Sequence, residues 1–232
     1  MRNSESSAAK ASLAVVSATQ STVPRSRLKA DAFGSVTLVG EGSDRTIERD
    51  VMCARWWLRP VSRWVASREA RALARLAPLE GFARVLRWDR RVLVRSYIDG
   101  APMQEAQPQH VAFYREAWRL LRAMHRRGVS HNDLAKEPNW LVTPAGSPAL
   151  TDFQMALFGP PRSRRMRLLA REDLRHLLKH KRTYCSGHLT PVERRVLARR
   201  SWFRALWFAS VKPVYRFVTR RVFRWRDNEG KN

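Results

Sequence analysis

The sequence predicts an α+β protein of two lobes on three observations. Short β-prone runs flank one helix in the first half, a long amphipathic helix occupies the middle, and a strand–turn–strand segment with further helices follows. Its 232 residues leave room for one large domain or two small lobes, and an apolar share of 44% is enough for an ordinary core, which excludes a disordered chain. The 45 Lys and Arg against 20 Asp and Glu give a net charge of +25, so an anionic partner is expected: nucleotide, nucleic acid or phospholipid surface. Two cysteines cannot make a disulfide framework, which fits a reducing compartment and a cytoplasmic address.

Residues 1–27, rich in Ser, Ala and Thr, read as a flexible tail. The apolar piece at 13–16 is shorter than a signal-peptide core of ~7 to 15 residues. No stretch reaches the ~18 apolar residues of a spanning helix. Two β-prone runs, 32–39 and 45–51, flank the turn Gly40-Glu41-Gly42-Ser43-Asp44 and predict a hairpin. Apolar residues at helical spacing predict a helix over 67–77, stopped near Pro78. Strands follow at 83–88 and 92–97. From 108 to 127, Val111, Tyr114, Ala117, Trp118, Leu121 and Met124 keep helical spacing, with Gly128 where a C-cap glycine belongs. Leu141-Val142 and Ala149-Leu150 around a Pro-Gly-rich turn predict a second hairpin, and a further helix begins near Met166.

Beside that hairpin stand His131-Asn132-Asp133-Leu134-Ala135-Lys136-Glu137-Pro138-Asn139 and then Asp152-Phe153-Gln154. Phosphoryl transfer needs a carboxylate to orient the attacking hydroxyl, a second carboxylate with an amide oxygen to hold Mg²⁺, and a cation for the moving phosphate. Asp133, Asp152, Asn139 and Lys136 supply that inventory. The competing reading is that Asp and Asn merely cap and turn a loop.

The segment resembles the catalytic loop and metal-binding Asp motif of the protein-kinase fold, in a form similar to small bacterial lipopolysaccharide-core kinases and RIO-like serine/threonine kinases. Further landmarks occur in the order of that fold: Phe33-Gly34-Ser35-Val36 resembles the second half of its Gly-rich loop, Glu69 stands at its helix Glu, and residues 94–100 resemble its hinge. The resemblance covers roughly residues 28–181. It implies a bilobal fold with a small β-rich N-lobe over 28–98, a truncated helical C-lobe over 99–200, and ATP between the lobes. It also implies nucleotide contacts at Gly34, Val36, Arg49, Glu69, Ser96 and Ile98, Mg²⁺ ligands at Asn139 and Asp152, and catalytic roles for Asp133 and Lys136. Asp173, in Arg171-Glu172-Asp173-Leu174, resembles the helix Asp that braces the catalytic loop; a surface acid among arginines is the other reading.

The departures are specific. Arg49 stands where the fold carries Lys, with Arg45 as its rival, and a planar fork places charge differently from an ammonium. Glu69 lies among arginines, as a solvated acid would. Asn139 follows Asp133 by six positions rather than five, Lys29 and Asp31 replace the first glycines, Gln154 replaces a glycine, and no Ala-Pro-Glu follows. The short stretch after Asp152 leaves no room for a peptide-docking platform, so a sugar or lipid-linked glycan joins protein Ser/Thr as the hydroxyl acceptor. The degraded glycines and Arg49 keep a pseudokinase open, binding nucleotide or a partner without turnover.

Residues 162–226 carry 20 Lys and Arg against three acids. Within 201–232, Val211, Val214, Val218, Val222 and Trp225 form one helical stripe and Lys212, Arg216, Arg220 and Arg224 another, as in a basic amphipathic segment seated on an anionic membrane. Packing of that stripe on the C-lobe is the alternative. Nucleic acid is the less favoured user of the charge, since no recognised motif accompanies it.

Overall fold

The computed structural model describes residues 23–198; the amphipathic segment 201–232 and residues 1–22 of the expected tail lie outside them. The chain divides into two compact units, one made of the described residues through Ser67 with Val85–Tyr97, the other of Arg68–Arg84 with Ile98 onward.

The first unit is a five-stranded antiparallel sheet of β1 (Arg25–Asp31), β2 (Gly34–Val39), β3 (Thr46–Asp50), β4 (Val85–Trp88) and β5 (Val92–Ser96). Their order across the sheet is β1-β2-β3-β5-β4. β1 takes in the last three residues of the segment expected as tail. Its Arg, Ser and Lys content lacks a β signal because it is an edge strand, where basic side chains discourage further pairing. Val36 pairs with Arg49, and Thr46 with Ser96. On β3, Ile47 is buried while Glu48, on the other face, meets Arg25 at 3.2 Å. Arg49 therefore shares the inner face with Ile47.

α1 (Arg59–Leu76) begins eight residues before the expected helix. Pro60 sits in its first turn, where a missing N–H costs nothing, and Leu58, Ser62, Ala66 and Leu73 form its buried stripe. Ser62 Oγ donates to the Phe33 carbonyl at 2.9 Å, tying the helix to the two-residue turn between β1 and β2.

The second unit pairs two long helices with small sheets. β6 (Ala101–Pro102), β8 (Trp140–Val142) and β9 (Pro148–Leu150) form one sheet; β7 (Val129–Ser130) and β10 (Leu157–Phe158) form another. After the short α2 (Met103–Ala106), α3 (Val111–Arg126) buries Phe113, Tyr114, Ala117, Leu121 and Met124, whereas Trp118, read as part of that stripe, is 40% exposed. α4 (Arg164–Tyr184) packs on α3 and starts at Ser163, whose Oγ accepts from Met166 N at 3.2 Å as an N-cap. α5 (Pro191–Ala198) closes the described chain. Among the described residues no helix is long and apolar enough to cross a membrane.

Gly34 is fixed by geometry. Its φ is +125°, and a Cβ there would lie 2.3 Å from the Asp50 carbonyl oxygen. Gly34→Ala should therefore cost about 1–3 kcal/mol in thermal unfolding. Gly42→Ala, with nothing within 4 Å of the new Cβ, should cost clearly less. Equal losses would show that the approach of β2 to β3 is not the constraint.

Candidate active site

The second unit builds the site from the loop between β7 and β8, the residues after β9, and one face of α4. The loop opens at His131, which is wholly buried. Its Nε2 donates to the Thr151 carbonyl at 2.8 Å, so that nitrogen carries the proton, and its ring packs on Phe153 at 4.6 Å. Phe153 in turn meets Phe82 edge-on at 5.8 Å.

Two residues on, Asp133 Oδ2 lies 3.1 Å from Lys136 Nζ. Asn139 Nδ2 donates to the Asp133 carbonyl at 2.8 Å and to Oδ2 at 3.3 Å. The extra residue in this loop is absorbed by a 3₁₀ turn over Glu137–Asn139 with Pro138 in its first turn, which carries Asn139 back onto Asp133. With its NH₂ engaged, the Asn139 amide oxygen is the group available to a cation. The pairing of Trp140 with Leu150 continues as a Thr151 N–H bond to the Asn139 carbonyl at 3.1 Å, so Asp152 follows one residue beyond this junction. Asp152 adopts the left-handed conformation, φ 61° and ψ 66°, which is uncommon outside glycine. Its Oδ1 is buried with no hydrogen-bond partner among the described residues. A carboxylate oxygen stripped of water and donors is costly, and a cation relieves that cost. Side-chain contacts thus bring Asp133, Lys136 and Asn139 together, and Asp152 follows the backbone bond that ties Thr151 to Asn139.

Asp173, on α4 and 1% exposed, holds the loop. Its Oδ2 accepts from Ser130 Oγ at 2.7 Å and His131 N at 3.1 Å and meets His125 Nε2 at 2.9 Å; its Oδ1 accepts from Asn132 N at 3.0 Å. The surface-acid reading fails here. Burial works to raise the Asp173 pKa, but the hydrogen bond and charge of His125, with His131 and Ser130, outweigh it and hold the carboxyl below 3.8. Further along α4, His180 Nε2 donates to the Leu134 carbonyl at 2.8 Å and Tyr184 OH donates to Glu137 at 2.9 Å.

Of the other expected residues, Gly34, Val36, Arg49 and Ser96 lie in the first unit, and Glu69 and Ile98 in the second. Glu69 is 1% exposed and so is no solvated surface acid. Arg45 lies over the Tyr97 ring at 4.3 Å and its Nε donates to the Gly42 carbonyl at 2.9 Å, which occupies the rival to Arg49. Sequence reasoning missed Arg68, which donates to the carbonyls of Met155 and Ala156 just after Asp152. It also missed His125, Ser130 and Tyr184, whose roles depend on α3, β7 and α4 meeting. Among the described residues no three His, Cys, Asp or Glu side chains gather as a metal cage.

No protein-family model and no curated protein matches the chain. Among solved structures, the Rio2 kinase from Chaetomium thermophilum is similar, with a TM-score of 0.55 and 18% identity over 75% of this chain and 62% of that one. The chain has a protein-kinase-like fold. It spans 62% of the length of that structure, and at this identity the likeness concerns the fold alone. Within the kinase-like fold, the stretch from Asp152 to α4 is short and pinned by β10 pairing with β7, with Gly159 N bonded to the Gly128 carbonyl at 3.1 Å. Where that stretch ends, a groove of about 470 Å³ between α3 and α4 is rimmed by Arg122, Arg126, Arg162, Arg167 and Arg171. None of the five forms an ion pair with an acid among the described residues.

Two pH windows follow. His176, pushed down to about 4 chiefly by burial, binds its proton in the unfolded chain first, so native stability should fall between pH 6.5 and 4. Asp173 has a depressed native pKa, so its contribution is present above 3.8 and is lost as pH falls through the native value. Acid titration of unfolding should show both losses, and Asp173→Asn should abolish the lower one and deepen the upper one, because the Asp173 charge opposes the fall of His176, while costing about 3–5 kcal/mol at neutral pH. An unchanged acid limb in that variant would overturn the assignment.

Proposed function

We propose that this protein is an ATP-dependent phosphotransferase that moves the γ-phosphate to a hydroxyl acceptor. The observation that carries this reading is the junction of Asp133, Asn139 and Asp152, with a buried, unsatisfied oxygen on Asp152. Asn139 and Asp152 would hold Mg²⁺, which takes few protein ligands because waters and phosphate oxygens complete its shell. When bound, the ion neutralises charge on the transferring phosphate. Asp133 orients the acceptor hydroxyl and receives its proton, and Lys136, 3.1 Å from Asp133, offers a cation to the γ-phosphate. Gly34, Val36, Arg49, Glu69, Ser96 and Ile98 are proposed as nucleotide contacts.

The favoured acceptor is a sugar or lipid-linked glycan bearing negative charge. The short pinned stretch after Asp152 supports a non-peptide acceptor, and the arginine rim where it ends supports an anionic one. Nucleotide binding without turnover is the second reading, favoured by Arg49 on the inner face of the sheet where the fold ordinarily carries Lys.

ATP with Mg²⁺ should raise the melting temperature of the wild type, and wild type should consume ATP in the presence of a glycan-containing membrane extract. Asp133→Asn should lower turnover by at least about 10²-fold while keeping the Mg·ATP stabilisation. Asp152→Ala should abolish the Mg²⁺-dependent part of that stabilisation. Turnover independent of Asp133 would sink the assignment of roles, and binding without any turnover would select the second reading. Lys136→Ala should lower kcat by roughly 10- to 100-fold, measured on the same acceptor fraction.

A further inference from the structure

α1 and the turn before it carry apolar residues on two opposite faces. Leu58, Ser62 and Ala66 face inward and are buried. Trp57, Val61 and Trp64, spaced four and three apart on the other face, are 39%, 45% and 56% exposed, and Trp56 beside them is 78% exposed. Single exposed apolar residues are ordinary in soluble proteins, but three tryptophans and a valine gathered on one short surface are not. Arg55 and Arg63 stand exposed among them, and residues 51–67 contain no acid.

We infer that this surface seats on an anionic phospholipid bilayer, with the indoles at headgroup depth and the guanidinium groups on lipid phosphates. Trp prefers that interface because one end of its ring system is apolar and the other donates a hydrogen bond. Arginine adds attraction to an anionic leaflet. Charge complementarity decides the occupant. Arg55, Arg59 and Arg63 with no acid over residues 51–67 suit an anionic occupant, whereas a second copy would bring another +25 against them. The inference stands apart from phosphoryl transfer and draws on none of the residues of the candidate active site.

The test uses the full chain with vesicles of phosphatidylcholine alone or mixed with phosphatidylglycerol, at low salt and at about 0.5 M salt, where exposed charges are screened. Wild type should sediment with the anionic vesicles and keep part of that binding at high salt. Trp56→Ser with Val61→Ser, both exposed and so expected to leave the melting temperature unchanged, should weaken binding roughly tenfold, most visibly at high salt. Brominated-chain lipids should quench tryptophan fluorescence less in this variant than in wild type. Arg55→Glu with Arg63→Glu should cost roughly tenfold at low salt, well beyond the charge-matched Arg91→Glu with Arg194→Glu. Unchanged vesicle binding in the serine variant, equal quenching, or equal losses in the two charge-reversed variants would overturn the inference. A parallel loss of duplex DNA binding in the serine variant would overturn it as well, by making the surface a general polyanion site. Loss of vesicle binding with Asp133-dependent turnover intact would confirm this inference separately from the phosphotransferase reading.

Discussion

One buried carboxylate organises the second unit. Asp173 is removed from water on α4 and accepts from the backbone at His131 and Asn132, from the Ser130 hydroxyl, and from His125. An ionised group in such a place is tolerable only with several donors, and the donors come from β7, the loop after it and the end of α3. The carboxylate thereby sets where the loop leaves the helical core. His180 and Tyr184, two and three turns further along the same helix, hold Leu134 and Glu137 in the same way. A rigid helix thus becomes the template for a loop that has little regular structure of its own.

That template makes an unfavourable backbone affordable. Asn132 and Asp152 both take positive φ, 64° and 61°, without being glycine. Each is flanked by a residue whose backbone or ring is fixed, His131 and Thr151, and the two are joined by the His131 ring bond to the Thr151 carbonyl. Strain held by surrounding bonds is characteristic of places where side chains must point in directions that relaxed backbone would not give. Here it turns Asp133 toward Asn139 and leaves Asp152 with a buried oxygen lacking a donor. The chemistry proposed for the site follows from that arrangement of oxygens more than from any single residue type.

Much of the architecture is legible in the sequence because it rests on local signals. The hairpin of β2 and β3, the pair β4 and β5, the helix α3 and the hairpin of β8 and β9 each show periodicity or turn residues within a short window. Elements whose identity depends on partners are not legible. The first three residues of β1 read as polar tail because an edge strand satisfies only one side, and β7 and β10 are two residues each, too short for any pattern. The early start of α1 was hidden by Pro60 and by the exposed Trp57, Val61 and Trp64, which mask its buried stripe. At the site, Asp133, Asn139 and Asp152 were visible as residue types at a spacing, and Asp173 as an acid with two meanings.

The sequence by itself determined the α+β class, the order of most elements, the basic character and the presence of residue types that phosphoryl transfer would need, because these depend on spacing along the chain and on composition. Tertiary structure alone decided that Asp173 is a buried brace, that Glu69 is shielded from water, that Arg45 is occupied by Tyr97 and Gly42, and that a 3₁₀ turn returns Asn139 to Asp133. The physical reason is common to all four. Whether a charged side chain is solvated or desolvated, and which donors it meets, depends on residues far away in sequence that folding brings within hydrogen-bond reach, and the free energy of a charge is governed by that environment rather than by its neighbours in the chain.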